Sequence, residues 1–93
     1  MEITVDIKNI EKEESVILFP NPVRDVLQIK FMEFKKSPIF QLINSQGKLL
    51  MEKELEATIN FIDLSTLVDG IYFYRITEAG QAVSRGKILK STK

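Results

Sequence analysis

The sequence predicts an all-β protein, an antiparallel immunoglobulin-like β-sandwich of about seven strands. Short stretches in which apolar and polar residues alternate recur along the 93 residues. Turn residues separate these stretches about every 8–12 positions, as in known sandwiches. No stretch keeps the 3.6-residue period of an amphipathic helix. The length fits one domain, and a hydrophobic content of 44% is enough for one core.

The first 14 residues are predicted to stand apart from the rest of the chain. Ile3, Val5 and Ile7 alternate with polar residues, which indicates a half-buried strand. Residues 9–14 are polar and acidic, as expected of a loop or linker. We therefore expect residues 1–14 to be an upstream strand and linker, or the end of a preceding protein. Residues 15–93 would then form the domain proper.

A proline corner follows, at Phe19-Pro20-Asn21-Pro22, between predicted strands at residues 15–19 and 27–31. Proline fixes φ and has no N–H, so the corner is neither helix nor central strand. Residues that precede proline favour extended backbone, so we expect a stiff corner that leads into the second strand. We expect Phe19 to anchor this corner in the core, and the Asp25 carboxylate to accept main-chain N–H bonds there.

The remaining strands are predicted at residues 39–43, 49–55, 59–65, 71–77 and 82–89. Gly47 is expected to supply a positive φ in the turn at residues 44–48, and Gly70 to end the turn at residues 65–70. Tyr72 shares a strand face with Tyr74. We expect Tyr72 to pack beneath the sheet, with its hydroxyl hydrogen-bonded at the edge. A final turn at residues 78–81 leads into the last strand, and residues 90–93 form a polar tail.

Composition excludes several functions. Thirteen basic and 13 acidic residues give no net charge, so nothing attracts the chain as a whole to nucleic acid or to an anionic membrane. The absence of cysteine and histidine removes the thiolate nucleophile and the commonest general base and metal ligand. Asp63 and Asp69 lack the spacing of a calcium loop. We therefore expect no catalytic residue, no cofactor and no metal, and no apolar run approaches the ~20 residues of a membrane span.

Four stretches, taken in this order and spacing, carry a resemblance to a known family. They are FPNPVRDVLQI at residues 19–29, LINSQGK at 42–48, IDLSTLVDGIYFYRI at 62–76 and GKILK at 86–90. Together they resemble the type A C-terminal sorting domain of the type IX secretion system, the Por secretion tail family. Such domains lie at the end of cargo proteins in certain Gram-negative bacteria.

The resemblance implies a non-catalytic secretion signal. The translocon would read the domain in the periplasm and pass the attached upstream cargo across the outer membrane, to the cell surface or the medium. A sortase-like protease would then remove the domain, and we expect its cut within residues 9–15. The implied partners are type IX translocon components, this protease and the cargo, without nucleic acid or membrane insertion. A weak dimer through edge strands is left open.

The residues implied in the sorting signal are Phe19, Pro20, Asn21, Pro22, Asp25, Gly47, Gly70, Tyr72, Gly86, Lys87 and Lys90. Most of these have fold roles. Recognition is expected at residues 86–93, where an accessible edge strand and a basic tail could pair with a translocon component by strand addition. The alternative is an adhesion or carbohydrate-binding module of a secreted protein. That function would need an exposed aromatic platform or a calcium site.

Overall fold

The computed structural model describes residues 16–32 and 37–92, and this part of the chain forms seven strands and no helix. The strands are β1 (Val16–Phe19), β2 (Val26–Phe31), β3 (Ile39–Asn44), β4 (Leu49–Glu54), β5 (Ile59–Asp63), β6 (Gly70–Glu78) and β7 (Gln81–Lys90). The all-β prediction is confirmed. The predicted strand at residues 3–7, the linker at 9–14 and the boundary at residue 14 lie outside the described residues.

Two antiparallel sheets form the sandwich, which confirms the predicted architecture. The first has the strand order β1-β2-β5 and the second the order β4-β3-β6-β7. This is the immunoglobulin-like arrangement, with β4 beside β3 in the larger sheet. Among the described strands, β4 and β7 are the edges of that larger sheet, so one row of main-chain groups on each has no described strand beside it.

The core lies between the sheets and is built by strict alternation along the strands. In β2, for example, Leu27, Ile29 and Phe31 are buried while the residues between them are more exposed. The prediction that Phe19 anchors the corner in the core is wrong, because Phe19 is 36% exposed. Alternation along β1 turns Val16 inward and Phe19 outward. The corner is instead anchored by Val23, which is 0% exposed.

The turn between β3 and β4 is held by one asparagine. The Asn44 side-chain oxygen accepts hydrogen bonds from the main-chain N–H groups of Gln46 and Lys48, each at 2.9 Å. Gly47, at the tip of this turn, has a φ of 89°, a conformation that costs glycine little because it has no Cβ. A shallow depression of about 460 Å³ lies between residues 44–46 of this turn and residues 66–70 of the β5–β6 turn, which ends at Gly70.

Candidate recognition site

The proline corner pairs with the free edge of β7 through the Asn21 side chain. Its Nδ2 donates to the carbonyl of Lys87 at 3.0 Å, and its Oδ1 accepts the N–H of Leu89 at 2.9 Å. An asparagine amide carries one donor and one acceptor arranged as in a peptide unit. Asn21 therefore occupies the place of a main-chain peptide in an eighth strand. The peptide bonds before Pro20 and Pro22 are both cis.

Val23 continues this pairing with its own main chain. Its N–H donates to the Leu89 carbonyl at 2.8 Å, and its carbonyl accepts the N–H of Ser91 at 2.9 Å. The pairing is parallel, with Val23 beside Lys90. The prediction of an accessible edge strand over residues 86–93 is therefore wrong for its second half, because the corner already bonds the groups from the Lys87 carbonyl to the Ser91 N–H.

Lys90 is not part of an accessible basic tail, which corrects a second expectation. Its side chain is 1% exposed, and its Nζ lies 3.9 Å from Oδ1 of Asp69. The other carboxylate oxygen of Asp69 accepts bonds from the Thr92 N–H at 3.2 Å and its hydroxyl at 3.1 Å. Residue 90 points inward because it has the same parity on β7 as the buried Ile88.

The acidic acceptor expected in the proline corner lies elsewhere. In the described part of the chain the Asp25 carboxylate accepts no hydrogen bond; its main-chain carbonyl accepts the Leu64 N–H at 2.7 Å. Asp63 has the predicted role instead, in the β5–β6 turn, where its Oδ1 accepts the Ser65 N–H at 3.0 Å. The main-chain and side-chain hydrogen bonds from Ser65 lower the pKa of Asp63 below its usual 3.8.

The tyrosines of β6 lie in the interior. Tyr72 is 6% exposed and donates its hydroxyl to the Val68 carbonyl at 2.6 Å. A tyrosine at the start of the sixth strand that bonds a few residues upstream is a tyrosine corner, a recurrent feature of these sandwiches. Tyr74 is half-buried and stacks on Phe40, with ring centroids 6.4 Å apart. These two rings therefore do not form a binding platform.

Gly86 has a packing role beside Tyr74, which is its direct neighbour on β6. A Cβ at position 86 would lie 2.9 Å from Cε2 of Tyr74 and 3.2 Å from its Cζ. The absence of a side chain lets the tyrosine ring lie over β7, where its hydroxyl is 3.3 Å from Oγ of Ser84. Gly86 therefore contributes to the inner face and presents no side chain to a partner.

The outer face of the larger sheet carries a charged row that sequence reasoning missed. Arg75 donates to Oε1 of Gln41 from Nε at 3.0 Å and from Nη2 at 2.8 Å, and Gln41 in turn donates to Glu52 at 3.4 Å. Arg85 lies directly opposite Arg75 on β7. Lys87, two residues further along, lies opposite the exposed Phe73. The signal that could have found this face is the spacing of Arg85 and Lys87, two apart on one strand.

A shallow depression of about 510 Å³ opens on this face. Arg75, Arg85 and Lys87 supply its charge, and Ile43 and Phe73 supply its apolar floor. The Arg85 and Lys87 side chains are exposed, and no carboxylate of the described residues lies within ion-pair distance of either. Of the basic residues in the predicted sorting signal, Lys87 is thus the one that the fold presents, whereas Lys90 is buried.

An aromatic row lies on the outer face of the smaller sheet. Phe19 and Phe61 are both cross-strand neighbours of Gln28, one on each side. Phe61 is 60% exposed. Two exposed rings that flank an amide form a platform of the kind that the binding-module alternative requires. Sequence reasoning placed Phe19 in the core and did not single out Phe61.

Within residues 16–32 and 37–92 no group of three or more acidic side chains is placed to hold a metal ion. The same ranges contain no helix that is long and apolar enough to span a membrane.

Comparison with known proteins identifies one family. A family model described as a secretion system C-terminal sorting domain matches residues 17–91. No curated protein matches the chain. The match covers more than half of the chain, begins within β1 and ends at Ser91, whose N–H bonds the proline corner.

Proposed function

The chain belongs to the family of secretion system C-terminal sorting domains of the type IX pathway, and on this basis we propose that its folded sandwich is the export signal of an attached cargo. Members of this family are generally non-catalytic, and their cargo is secreted to the cell surface or the exterior. The domain would be recognised in the periplasm by type IX translocon components. It would then direct its cargo across the outer membrane.

The main support for this proposal is that the family match and the described fold cover nearly the same residues. The matched residues 17–91 run from the first described strand to the last main-chain bond of the corner. A signal that is one complete domain can be recognised by its surface, and its recognition then depends on folding. Phe19, Pro20, Pro22, Asp25, Gly47, Gly70 and Tyr72 would act mainly through the fold.

Export is tested by fusing residues 15–93 to the C-terminus of a reporter that carries its own periplasmic signal. The fusion is expressed in a bacterium with a type IX system and in the same strain without that system. We expect the reporter in the medium or on the surface only when both the domain and the system are present. A Leu42→Asp fusion, which places a charge in the core, serves as the unfolded control. Equal export of the reporter without the domain would refute the proposal.

Removal of the domain is a separate part of the proposal. The upstream segment, residues 1–14, would link cargo to signal, and a sortase-like protease would cut within residues 9–15. Residues 9–14 are polar and acidic, and polar segments are common sites of proteolytic cleavage. Mass spectrometry of the exported reporter tests this part: we expect a new C-terminus within residues 9–15. An exported reporter that keeps the intact domain would contradict cleavage, but the proposed role in export would stand.

A binding module is the second candidate, and the exposed Phe19–Gln28–Phe61 row favours it. If this row binds a glycan, Phe19→Ala and Phe61→Ala should abolish retention on a glycan array without changing export. Wild-type protein that binds no glycan on the array would remove this candidate. The export proposal does not depend on the outcome.

A further inference from the structure

We propose that the open half of β7 binds an extended acidic segment of the secretion machinery by strand addition, with Arg85 and Lys87 contacting its carboxylates. This inference rests on the proposed function and specifies the surface and the chemistry of the partner. It concerns the half of β7 that comes before the residues bonded to the proline corner. We define this half as residues 81–87 and call it the open edge. Three features of the molecule support it: the direction of the main-chain groups, the unbalanced charge and the boundary set by Asn21.

The main chain of the open edge has unpaired groups that point away from β6. The N–H and carbonyl of Leu89 and the carbonyl of Lys87 point toward the corner, since Asn21 and Val23 bond them. In a regular antiparallel pair, residues two apart direct their main-chain groups to the same edge. The pairing of β6 with β7 is regular from residue 85 to residue 90. The Arg85 N–H and carbonyl and the Lys87 N–H therefore face the open edge, and no described residue bonds them.

Arg85 and Lys87 of the open edge form a cationic patch with Arg75 of β6, and no described carboxylate balances the charge of Arg85 or Lys87. Arg75 and Arg85 are direct cross-strand neighbours, and like charges in that position destabilise a sheet. Gln41, a neutral residue, accepts hydrogen bonds from Nε and Nη2 of Arg75, and no described carboxylate pairs with Arg85 or Lys87. A strand added to β7 would place its outward side chains beside Arg85 and Lys87. Carboxylates at alternate positions of that strand would relieve the repulsion and form charge-assisted hydrogen bonds.

The proline corner limits where the added strand can lie. Asn21 occupies the hydrogen-bonding position beside the Lys87 carbonyl, so an incoming strand must stop at the Lys87 N–H. A short segment fits beside residues 81–87, and one pairing register places its main-chain groups opposite those of Arg85. A wholly free edge would be open to unspecific pairing. The corner limits the part of β7 with which another strand can pair.

A second copy of this chain is the main competing occupant. Two β7 edges cannot pair favourably, because Arg85 and Lys87 of one copy would face the same cations of the other. The other edge strand, β4, carries Glu52 and Glu54 on one face and Lys53 on the opposite face, so a β4 edge also has carboxylates at alternate positions. Glu52 already accepts a bond from Gln41, whereas both carboxylates of a foreign segment are available, which favours the foreign segment over a second copy.

The test is a titration of isotopically labelled domain, followed by the NMR signals of its main-chain amides. The probe is a synthetic peptide with glutamate at alternate positions and valine between them; the control peptide has lysine in place of each glutamate. We expect the acidic peptide to shift the Arg85 and Lys87 amide signals and slow their hydrogen exchange, with an effect that weakens as salt is raised. The lysine peptide should do neither. The signals of β4 should stay in place.

The discriminating variant is Arg85→Glu with Lys87→Glu, which changes two exposed side chains. Its matched control is Lys48→Glu with Lys53→Glu, an equal charge change at exposed positions away from β7. We expect the first pair to weaken peptide binding at least tenfold and the second to leave it within about twofold. The inference is overturned if the shifts are absent at millimolar peptide or persist in the first variant. Concentration-dependent shifts on both β4 and β7 without peptide would also overturn it, in favour of a second copy.

Export of the reporter fusion separates this inference from the proposed function. If the wild-type domain exports the reporter but Arg85→Glu with Lys87→Glu exports it equally well, the open edge is not the recognised surface, and the sorting function stands. If the wild-type domain supports no export, the proposed function fails whatever the peptide does. Loss of export in the β7 variant alone, with the domain still folded, supports both.

Discussion

Asn21 shows how one side chain can determine which part of a strand is available. Its amide reproduces the donor and acceptor of a peptide unit and bonds Lys87 and Leu89, residues 66 and 68 positions away. A valine or serine at position 21 could not make both bonds, because neither side chain carries a donor and an acceptor at the required separation. The value of this asparagine therefore lies in its geometry as much as in its polarity.

Asn21→Asp is the substitution that tests this geometry, because it keeps the shape and removes the donor. One carboxylate oxygen would then face the Lys87 carbonyl, so we expect a loss of about 1–2 kcal/mol in unfolding free energy. Hydrogen exchange of the Leu89 amide should also become faster. Denaturant unfolding and exchange at pH 7 measure the two effects. Gln46→Glu, the same change at an exposed turn residue, is the control, and an equal loss there would contradict the assignment.

Asp63 makes stability depend on pH. Hydrogen bonds from the Ser65 main chain and side chain lower the pKa of its carboxyl below 3.8 in the folded state. Since the unfolded chain has the higher pKa, the stabilisation is complete above about pH 4. It is lost as pH falls through the folded-state value.

We expect Asp63→Asn to reduce the loss of stability between about pH 4 and pH 2. The measurement is denaturant unfolding at a series of pH values in that range. Asp25→Asn is the control, since that carboxylate accepts no hydrogen bond in the described part of the chain. If the Asp63 variant keeps the full acid dependence of the wild type, the carboxylate does not contribute to it.

Among the elements, the β6–β7 pair combines a packed inner face with a charged outer face. Gly86 lies on the inner face beneath Tyr74, and its neighbours Arg85 and Lys87 lie on the outer face. Because side chains alternate along the strand, a residue with a packing role lies directly between two residues of the proposed recognition surface. This arrangement allows the outer charges to be changed without disturbing the core.

Gly86→Ala should destabilise the domain by about 1–3 kcal/mol, because its Cβ would overlap the Tyr74 ring. In a Tyr74→Leu background the overlap is removed, and we expect the alanine to cost less than about 0.5 kcal/mol. Tyr74→Phe retains Cε2 and should retain the penalty. Denaturant unfolding of this mutant cycle measures the coupling. A penalty that is the same in all three backgrounds would show that the cost has another origin.

At the scale of the whole molecule, the C-terminal end of β7 closes the sandwich. The buried side chains of Ile88 and Lys90 lie there, and so do the groups that bond the proline corner. Residues 90–92 of the predicted polar tail are therefore part of the folded structure. A deletion at this end therefore removes part of the fold as well as part of the proposed recognition surface.

Deletion of residues 87–93 should abolish cooperative unfolding. The truncated chain loses the burial of Ile88, which alone contributes about 1.5–3 kcal/mol. It also loses the hydrogen bonds that Asn21 and Val23 make with residues 87–91. Against a typical total of about 5–15 kcal/mol for a domain, such losses leave little net stability. Circular dichroism and amide signal dispersion measure the outcome. A truncated domain with a melting temperature near that of the full chain would contradict this prediction.

Local patterns in the sequence were enough to predict the all-β architecture, most strand positions and the turns at Gly47 and Gly70. They were also enough to predict the internal position of Tyr72. Each of these follows from alternation or turn chemistry within about ten residues of the chain. The family resemblance was likewise visible in short stretches, and the match over residues 17–91 shows it.

The sequence by itself thus determined the class of fold, the family and which residues could alternate between core and solvent. Only the tertiary structure decided that Val23 and not Phe19 enters the core, that Lys90 is buried beside Asp69, and that the corner pairs with the second half of β7. The reason is that the corner and β7 meet across almost 70 residues of chain. Such contacts depend on how two sheets come together, and no local period in the sequence records that arrangement.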